Sequence, residues 1–187
     1  MKLCGIEAGG TKFVLGIGDE NGNILIRESI PTLDPETTLE AVSQFILKHR
    51  PDAVGNASFG PVDLDKKSPT YGENTSTPKP HWANTPILRY LSSRYDVPYG
   101  FDTDVNAAAV GESLWGNGRG VDSLLYLTIG TGIGGGLVIN GQTVHGLLHP
   151  EMGHILLQSY PGETFSGVCP FHKGCFEGLA SGPAIER

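Results

Sequence analysis

The sequence predicts an α/β protein of two similar lobes, the second only begun. Three observations carry that prediction. Short apolar runs broken by turn residues alternate with stretches whose apolar residues recur at helical spacing. Both halves open with a strand, a glycine turn and a second strand, the turns being Gly9-Gly10-Thr11 and Gly130-Thr131-Gly132. Between them Gly116-Asn117-Gly118-Arg119-Gly120 marks a boundary, dividing an N-terminal α/β lobe at 1–117 from the start of a C-terminal α/β lobe at 118–187.

Taken in order, residues 3–6, 12–17 and 23–30 read as strands, the last two joined through Asn21-Gly22, a pair that favours a tight hairpin. Asp34-Pro35 opens a helix in which Leu39, Val42, Phe45 and Ile46 fall on one face, with Thr37 and Glu40 spaced as a capping box, before the pattern ends near Pro51. A strand at 53–59 runs into Gly60-Pro61-Val62-Asp63. Residues 66–86, polar and containing Trp82, read as a long ordered loop near a site. A helix at 85–95, a strand at 97–101 and a helix at 105–115 complete the first lobe, with Asp104 placed to cap the last. In the second, strands at 123–129 and 134–140 follow, and Asn140-Gly141 turns the chain into a third.

Composition narrows the classes of function. The 187 residues carry 13 Lys and Arg against 20 Asp and Glu, a net charge of −7. No basic footprint marks nucleic acid or an anionic membrane as the main partner. With 39% hydrophobic and 18% charged residues, a packed core is expected. No apolar run reaches the ~20 residues of a membrane span. An acid at position 7 interrupts any signal-peptide core, which points to the cytoplasm.

Three groups of residues carry chemistry. The two glycine turns offer backbone N–H groups and a hydroxyl without side-chain bulk, which suits phosphate oxygens; the alternative is an ordinary hairpin. Gly130-x-Gly132-x-x-Gly135 matches the dinucleotide fingerprint by letter, but residues 137–141 continue as strand and turn rather than helix, so that reading fails. In Asp102-Thr103-Asp104-Val105-Asn106, Asp104 falls at a strand-to-helix junction where open α/β sheets bind ligands; it serves as a base, as a cap, or as both. Cys169-x-x-His172-x-x-Cys175, with His154 upstream, offers two thiolates and two imidazoles suited to a tetrahedral zinc with no open position. His149 and His145 are alternative fourth ligands. Cys4, alone on a strand, reads as a core residue.

Together and in order, Gly5-Ile6-Glu7-Ala8-Gly9-Gly10-Thr11-Lys12, Ser58-Phe59-Gly60-Pro61-Val62-Asp63, Thr77-Pro78-Lys79-Pro80-His81-Trp82, Asp104-Val105-Asn106-Ala107-Ala108-Ala109, Ile129-Gly130-Thr131-Gly132-Ile133-Gly134, His149-Pro150-Glu151-Met152-Gly153-His154 and the segment from Cys175 to Pro183 resemble the sugar kinases of the repressor–ORF–kinase (ROK) family, its fructokinases most of all. The resemblance covers essentially the whole chain.

It implies an actin-like, ribonuclease-H-like fold of two lobes with ATP and sugar in the cleft between them, the second lobe incomplete here. It implies an ATP-dependent phosphotransferase acting on a hexose, D-fructose to fructose 6-phosphate, with Mg²⁺ and Zn²⁺. Its nucleotide contacts fall on Gly9, Gly10, Thr11, Lys12, Gly130, Thr131, Gly132, Gly134 and Pro183. The base falls on Asp104; sugar contacts fall on Thr103, Asn106, Glu151, His154 and Glu177. The zinc ligands are His154, Cys169, His172 and Cys175. A homodimer is also implied for the complete protein. Three residues depart from the common pattern: Glu7 and Thr103 stand where many members have Asp and Asn, and the zinc set has two cysteines and two histidines where many have three and one. Glucose, mannose or N-acetylmannosamine kinases of the family are the nearest alternative, followed by a chain that binds sugar or zinc without turnover. A chain ending at Arg187 is expected to have weak or no kinase activity alone and to expose apolar surface.

Overall fold

The computed structural model describes residues 1–146 and 149–187. They form two compact units, one of Met1–Ala107 with His149, the other of 108–146 with Pro150–Arg187.

The first unit is a five-stranded sheet. β1 (Leu3–Ala8), β2 (Lys12–Gly18) and β3 (Ile24–Pro31) form an antiparallel meander, and β4 (Ala53–Ser58) and β5 (Tyr99–Thr103) add in parallel to the other edge of β1, giving the order β3-β2-β1-β4-β5. The period of two in β1 sends Cys4, Ile6 and Ala8 inward and leaves Gly5 and Glu7 on the opposite face. Onto the inward face pack α1 (Pro35–His49), through Leu39, Val42, Phe45 and Ile46, and α2 (Ile87–Ser92), through Ile87 and Leu91. Cys4 lies in this core, its thiol pushed up to about 12 by burial, so it is inert.

α1 starts differently from the expected capping box. Asp34 is the cap, its carboxylate accepting from the Thr37 N–H at 2.9 Å, with Pro35 in the first turn. Glu40 instead accepts from Gln44 and from the Tyr90 hydroxyl. The 66–86 loop is ordered, as its composition suggests. Its backbone bonds to the 61–63 turn, and Trp82, fully buried, packs tilted against Phe13 and edge-to-face with Phe59 while its indole N–H donates to the Leu33 carbonyl at 2.9 Å.

In the second unit β6 (Ser123–Ile129), β7 (Ile133–Ile139) and β8 (Gln142–Thr143) form an antiparallel sheet. A 3₁₀ turn at Met152–His154 and the short helices α4 (Phe176–Ala180) and α5 (Gly182–Ile185) complete it. Leu125, Leu127 and Ile129 on β6 are exposed, as are Ile155, Leu156 and Leu157. Helix α3 (Asp104–Trp115) begins in the first unit and ends in the second. No described helix is long and apolar enough to cross a membrane.

Candidate functional site

In the first unit the ends of β1 and β5 define the site. Register pairs Glu7 with Ala57 and Ala57 with Asp102, so the two acids lie in one row across the sheet, one residue before the strands end. β5 runs to Thr103 and α3 begins at once. The helix cap is Thr103, whose hydroxyl oxygen accepts from the Asn106 N–H at 3.2 Å. Asp102 holds the turn from the other side, accepting from the Thr103 N–H and from the Asn106 side-chain amide, each at 2.7 Å. Asp104, the residue expected to cap, bonds only to the N–H of its neighbour Val105, at 2.9 Å among the bonds described. Half-buried, its carboxyl is held above the ordinary range by desolvation and further by the negative charge of Glu7, with His149 opposing.

His149 does not join the metal cluster. Its Nε2 accepts from the Val62 N–H at 3.2 Å, and the ring lies against Gly60, where a Cβ would sit 3.1 Å from Cε1.

The first glycine turn is fixed by its carbonyls. The Gly9 N–H donates to the Lys12 carbonyl at 3.1 Å, and a Cβ on Gly9 would stand 2.6 Å from that same oxygen. The buried Thr32 ties down the rest: its hydroxyl donates to the Gly9 carbonyl at 2.7 Å and its N–H to the Thr11 carbonyl at 3.0 Å. The Gly9, Thr11 and Lys12 carbonyls are thus all engaged within the protein, while Gly10 and Thr11 are exposed.

In the second unit the matching turn is built alike. The Gly130 N–H donates to the Gly132 carbonyl at 2.9 Å, and the Gly130 carbonyl accepts from the Gly182 N–H at 2.7 Å. Pro183, next in the chain, sits exposed at the start of α5. The Ile133 N–H donates to the Glu177 carboxylate Oε2 at 2.9 Å. β7 carries glycines because the 3₁₀ turn rests on it: a Cβ on Gly135 would meet the Met152 side chain, and one on Gly153 would lie 1.9 Å from the Ile133 carbonyl oxygen. This places exposed Glu151 and half-buried His154 at either side of a tight strand contact.

His154, Cys169, His172 and Cys175 converge, their ligand atoms all within 4.8 Å of one another. His145 and His149 are not in this group. Nδ1 of His154 is 3.8 Å from both Cys169 Sγ and Cys175 Sγ, and Nδ1 of His172 is 3.8 Å from Cys169 Sγ. Zinc bonds of about 2.3 Å to sulfur and about 2.0 Å to nitrogen at tetrahedral angles separate ligand atoms by about 3.3–3.8 Å, about 3.5 Å for a sulfur–nitrogen pair, so the donor set fits that ion and the sulfur–nitrogen spacings lie within about 0.3 Å of what it needs. The loop is anchored around the cluster: Leu156 bridges Cys175, the Phe176 N–H donates to the Ile155 carbonyl, and Cys175 caps α4 by accepting from the Gly178 N–H at 3.3 Å.

Sequence reasoning missed Thr32, the His149 contact to Val62 and the Glu177 contact to Ile133. Thr32 carried a faint signal as a hydroxyl residue just past β3, whereas the other two depend on contacts across 87 and 44 residues of chain.

The chain is similar in sequence and in fold to known proteins. A fructokinase of Streptococcus mutans is 48% identical over 191 residues, covering 99% of this chain and 64% of that protein. The ROK hexokinase of Thermus thermophilus superposes with a TM-score of 0.83 at 33% identity, over 100% of this chain and 62% of that one. A ROK family glucokinase of Streptomyces griseus, solved with glucose and AMPPNP, gives 0.76 at 32% identity, over 99% and 59%. The chain spans 62–65% of the length of the curated relatives it matches most strongly. The actin-like α/β fold is therefore shared. With the ROK family pattern matching residues 3–187, this chain belongs to the ROK family.

Proposed function

We propose that the protein is an ATP-dependent sugar kinase that phosphorylates D-fructose to fructose 6-phosphate. The observation that carries this is Asp104: a half-buried carboxylate at the end of a parallel strand, relieved of the helix-capping role by Thr103 and made more basic by burial and by Glu7. Such a group is fitted to take a proton from an alcohol. The 45–53% identity to curated fructokinases supports fructose as the acceptor.

In the proposed reaction Asp104 accepts the proton of the sugar hydroxyl as its oxygen bonds to the γ-phosphorus of ATP. The bond from that phosphorus to the β–γ bridging oxygen breaks, and ADP leaves. The turn amides and hydroxyls of Gly10, Thr11, Thr131 and Gly132, with Gly9, Lys12, Gly130, Gly134 and Pro183 shaping their surroundings, hold the phosphates. Thr103, Asn106, Glu151, His154 and Glu177 orient the sugar. Mg²⁺ bound with the nucleotide would supply positive charge to the transferring oxygens. Glu7, whose charge already burdens Asp104, fits a contact to it. His154, Cys169, His172 and Cys175 would hold zinc as a closed structural site that braces the segment carrying Glu177.

The test is a panel of hexoses with the full-length protein and ADP release detected by a coupled assay. Fructose should give the highest kcat/KM. A clear preference for glucose, mannose or N-acetylmannosamine would move the protein to another branch of the family, and no ADP release with any sugar would overturn the kinase reading.

A further inference from the structure

We propose that Glu177 is a positioning residue that couples the four-ligand cluster to the second glycine turn, so that metal occupancy sets how firmly the turn holds its shape. One carboxylate reaches both features. Oε2 accepts the Ile133 N–H at 2.9 Å, immediately after the turn, while Oε1 faces Nε2 of His154 at 4.0 Å, within reach of an ion pair. The other nitrogen of that ring, Nδ1, is the one directed at both cysteine sulfurs. A metal ligated at Nδ1 fixes the tautomer with the proton on Nε2, facing Glu177, and adds positive charge to the ring. Carboxylate, imidazole and metal then stand in series, and the series ends on the turn.

Two further observations make the link specific. A Cβ on Gly132 would lie 2.6 Å from Glu177 Oε2, so the carboxylate lies close against the turn and glycine there leaves it room. The same α4–α5 segment grips the turn's other end, where the Gly182 N–H donates to the Gly130 carbonyl, and that segment starts at the ligand Cys175. Beyond these two bonds and its own Gly130-to-Gly132 closure, the turn is flanked by the β6–β7 ladder, with Ile129 opposite Ile133. Freed of the metal, His154 loses its fixed orientation, Glu177 loses its partner, and the Ile133 N–H loses a charge-assisted acceptor. The identity of the turn's ligand as a phosphate rests on the kinase reading; its coupling to the metal does not.

Amide hydrogen exchange of the full-length protein tests this. In zinc-loaded wild type the Ile133 amide should exchange about tenfold or more slowly than after chelation, with Leu137 and Val138 of the same strand changing far less. Should chelation unfold the whole unit, zinc-loaded Glu177→Ala decides: it should retain one zinc per chain yet show Ile133 exchange at least tenfold faster than wild type. Equal Ile133 exchange in zinc-loaded wild type and zinc-loaded Glu177→Ala would overturn the coupling, as would a zinc effect in Glu177→Ala as large as in wild type. Binding of ADP, measured alongside by calorimetry, reports on the kinase reading separately. Affinity without the exchange effect sinks the coupling alone, and the exchange effect without affinity leaves the coupling standing and sinks the phosphate assignment.

Discussion

Gly153→Ala is a small change placed where the backbone of the second unit leaves little room. The added methyl carbon would lie 1.9 Å from the Ile133 carbonyl oxygen, 2.8 Å from its carbonyl carbon and 3.3 Å from its Cβ. Ordinary contact begins near 3.4 Å, so strand and 3₁₀ turn must part by about 1.5 Å. β7 is held in register by β6 along its whole length, so the 3₁₀ turn gives way, taking Glu151 and His154 with it. Overpacking of this kind costs about 1–3 kcal/mol. In a chain of this size that lowers Tm by roughly 2–4 °C per kcal/mol. The metal cluster should suffer too, because a shift of that size far exceeds the roughly 0.2 Å tolerance of a ligand distance. Zinc affinity is expected to fall about 10–100-fold, a loss typical of a disturbed ligand shell. Thermal melts in excess chelator isolate the packing cost; a competition titration with a chromogenic chelator reads the metal cost. A variant with wild-type Tm and wild-type zinc affinity would refute the reasoning from glycine to strand contact to metal ligand. Gly132→Ala is a useful contrast, since its obstruction is the Glu177 side-chain carboxylate rather than backbone.

Other predictions address the metal and the base. Purified protein should contain about one zinc per chain, and changing Cys169 and Cys175 together to Ser should abolish both the metal and cooperative unfolding of the second unit; wild-type protein free of zinc with an unchanged melt would contradict it. Asp104→Asn should raise stability at neutral pH. The native carboxyl is held above its unfolded value, so its charged form carries a penalty above the folded pKa, and none is left once pH falls below the unfolded value. The stability difference between Asn variant and wild type should therefore shrink as pH is lowered, and an undiminished difference at acid pH would count against the burial argument.

Much of this could be read before the coordinates, for reasons that differ residue by residue. A short apolar run ending at a glycine turn gave β1, and period-3.6 spacing of Leu39, Val42, Phe45 and Ile46 gave α1, because both report burial. The grouping of Cys169, His172 and Cys175 was legible from spacing alone. Caps were harder. Asp34 and Thr37 are both cap formers three residues apart, as Thr103 and Asp104 are neighbours, and backbone dihedrals rather than composition choose between them. β5 starts at Tyr99 rather than at residue 97 because Pro98 has no N–H to pair, although its carbonyl still accepts from Val54. That shift carries the strand to Thr103 and delivers Asp104 to its end. Glu177 was legible as a candidate polar contact, but its hold on Ile133 joins α4 to β7, and no local pattern encodes such a pairing.

The central claim is that Asp104 acts as the base of a phosphoryl-transfer site. It is tested most directly by comparing wild-type and Asp104→Asn full-length protein, with turnover on fructose and ATP measured beside equilibrium fructose binding. Turnover should fall by about 10²–10⁴-fold or more while fructose affinity stays within severalfold. Turnover retained within severalfold of wild type would contradict the account.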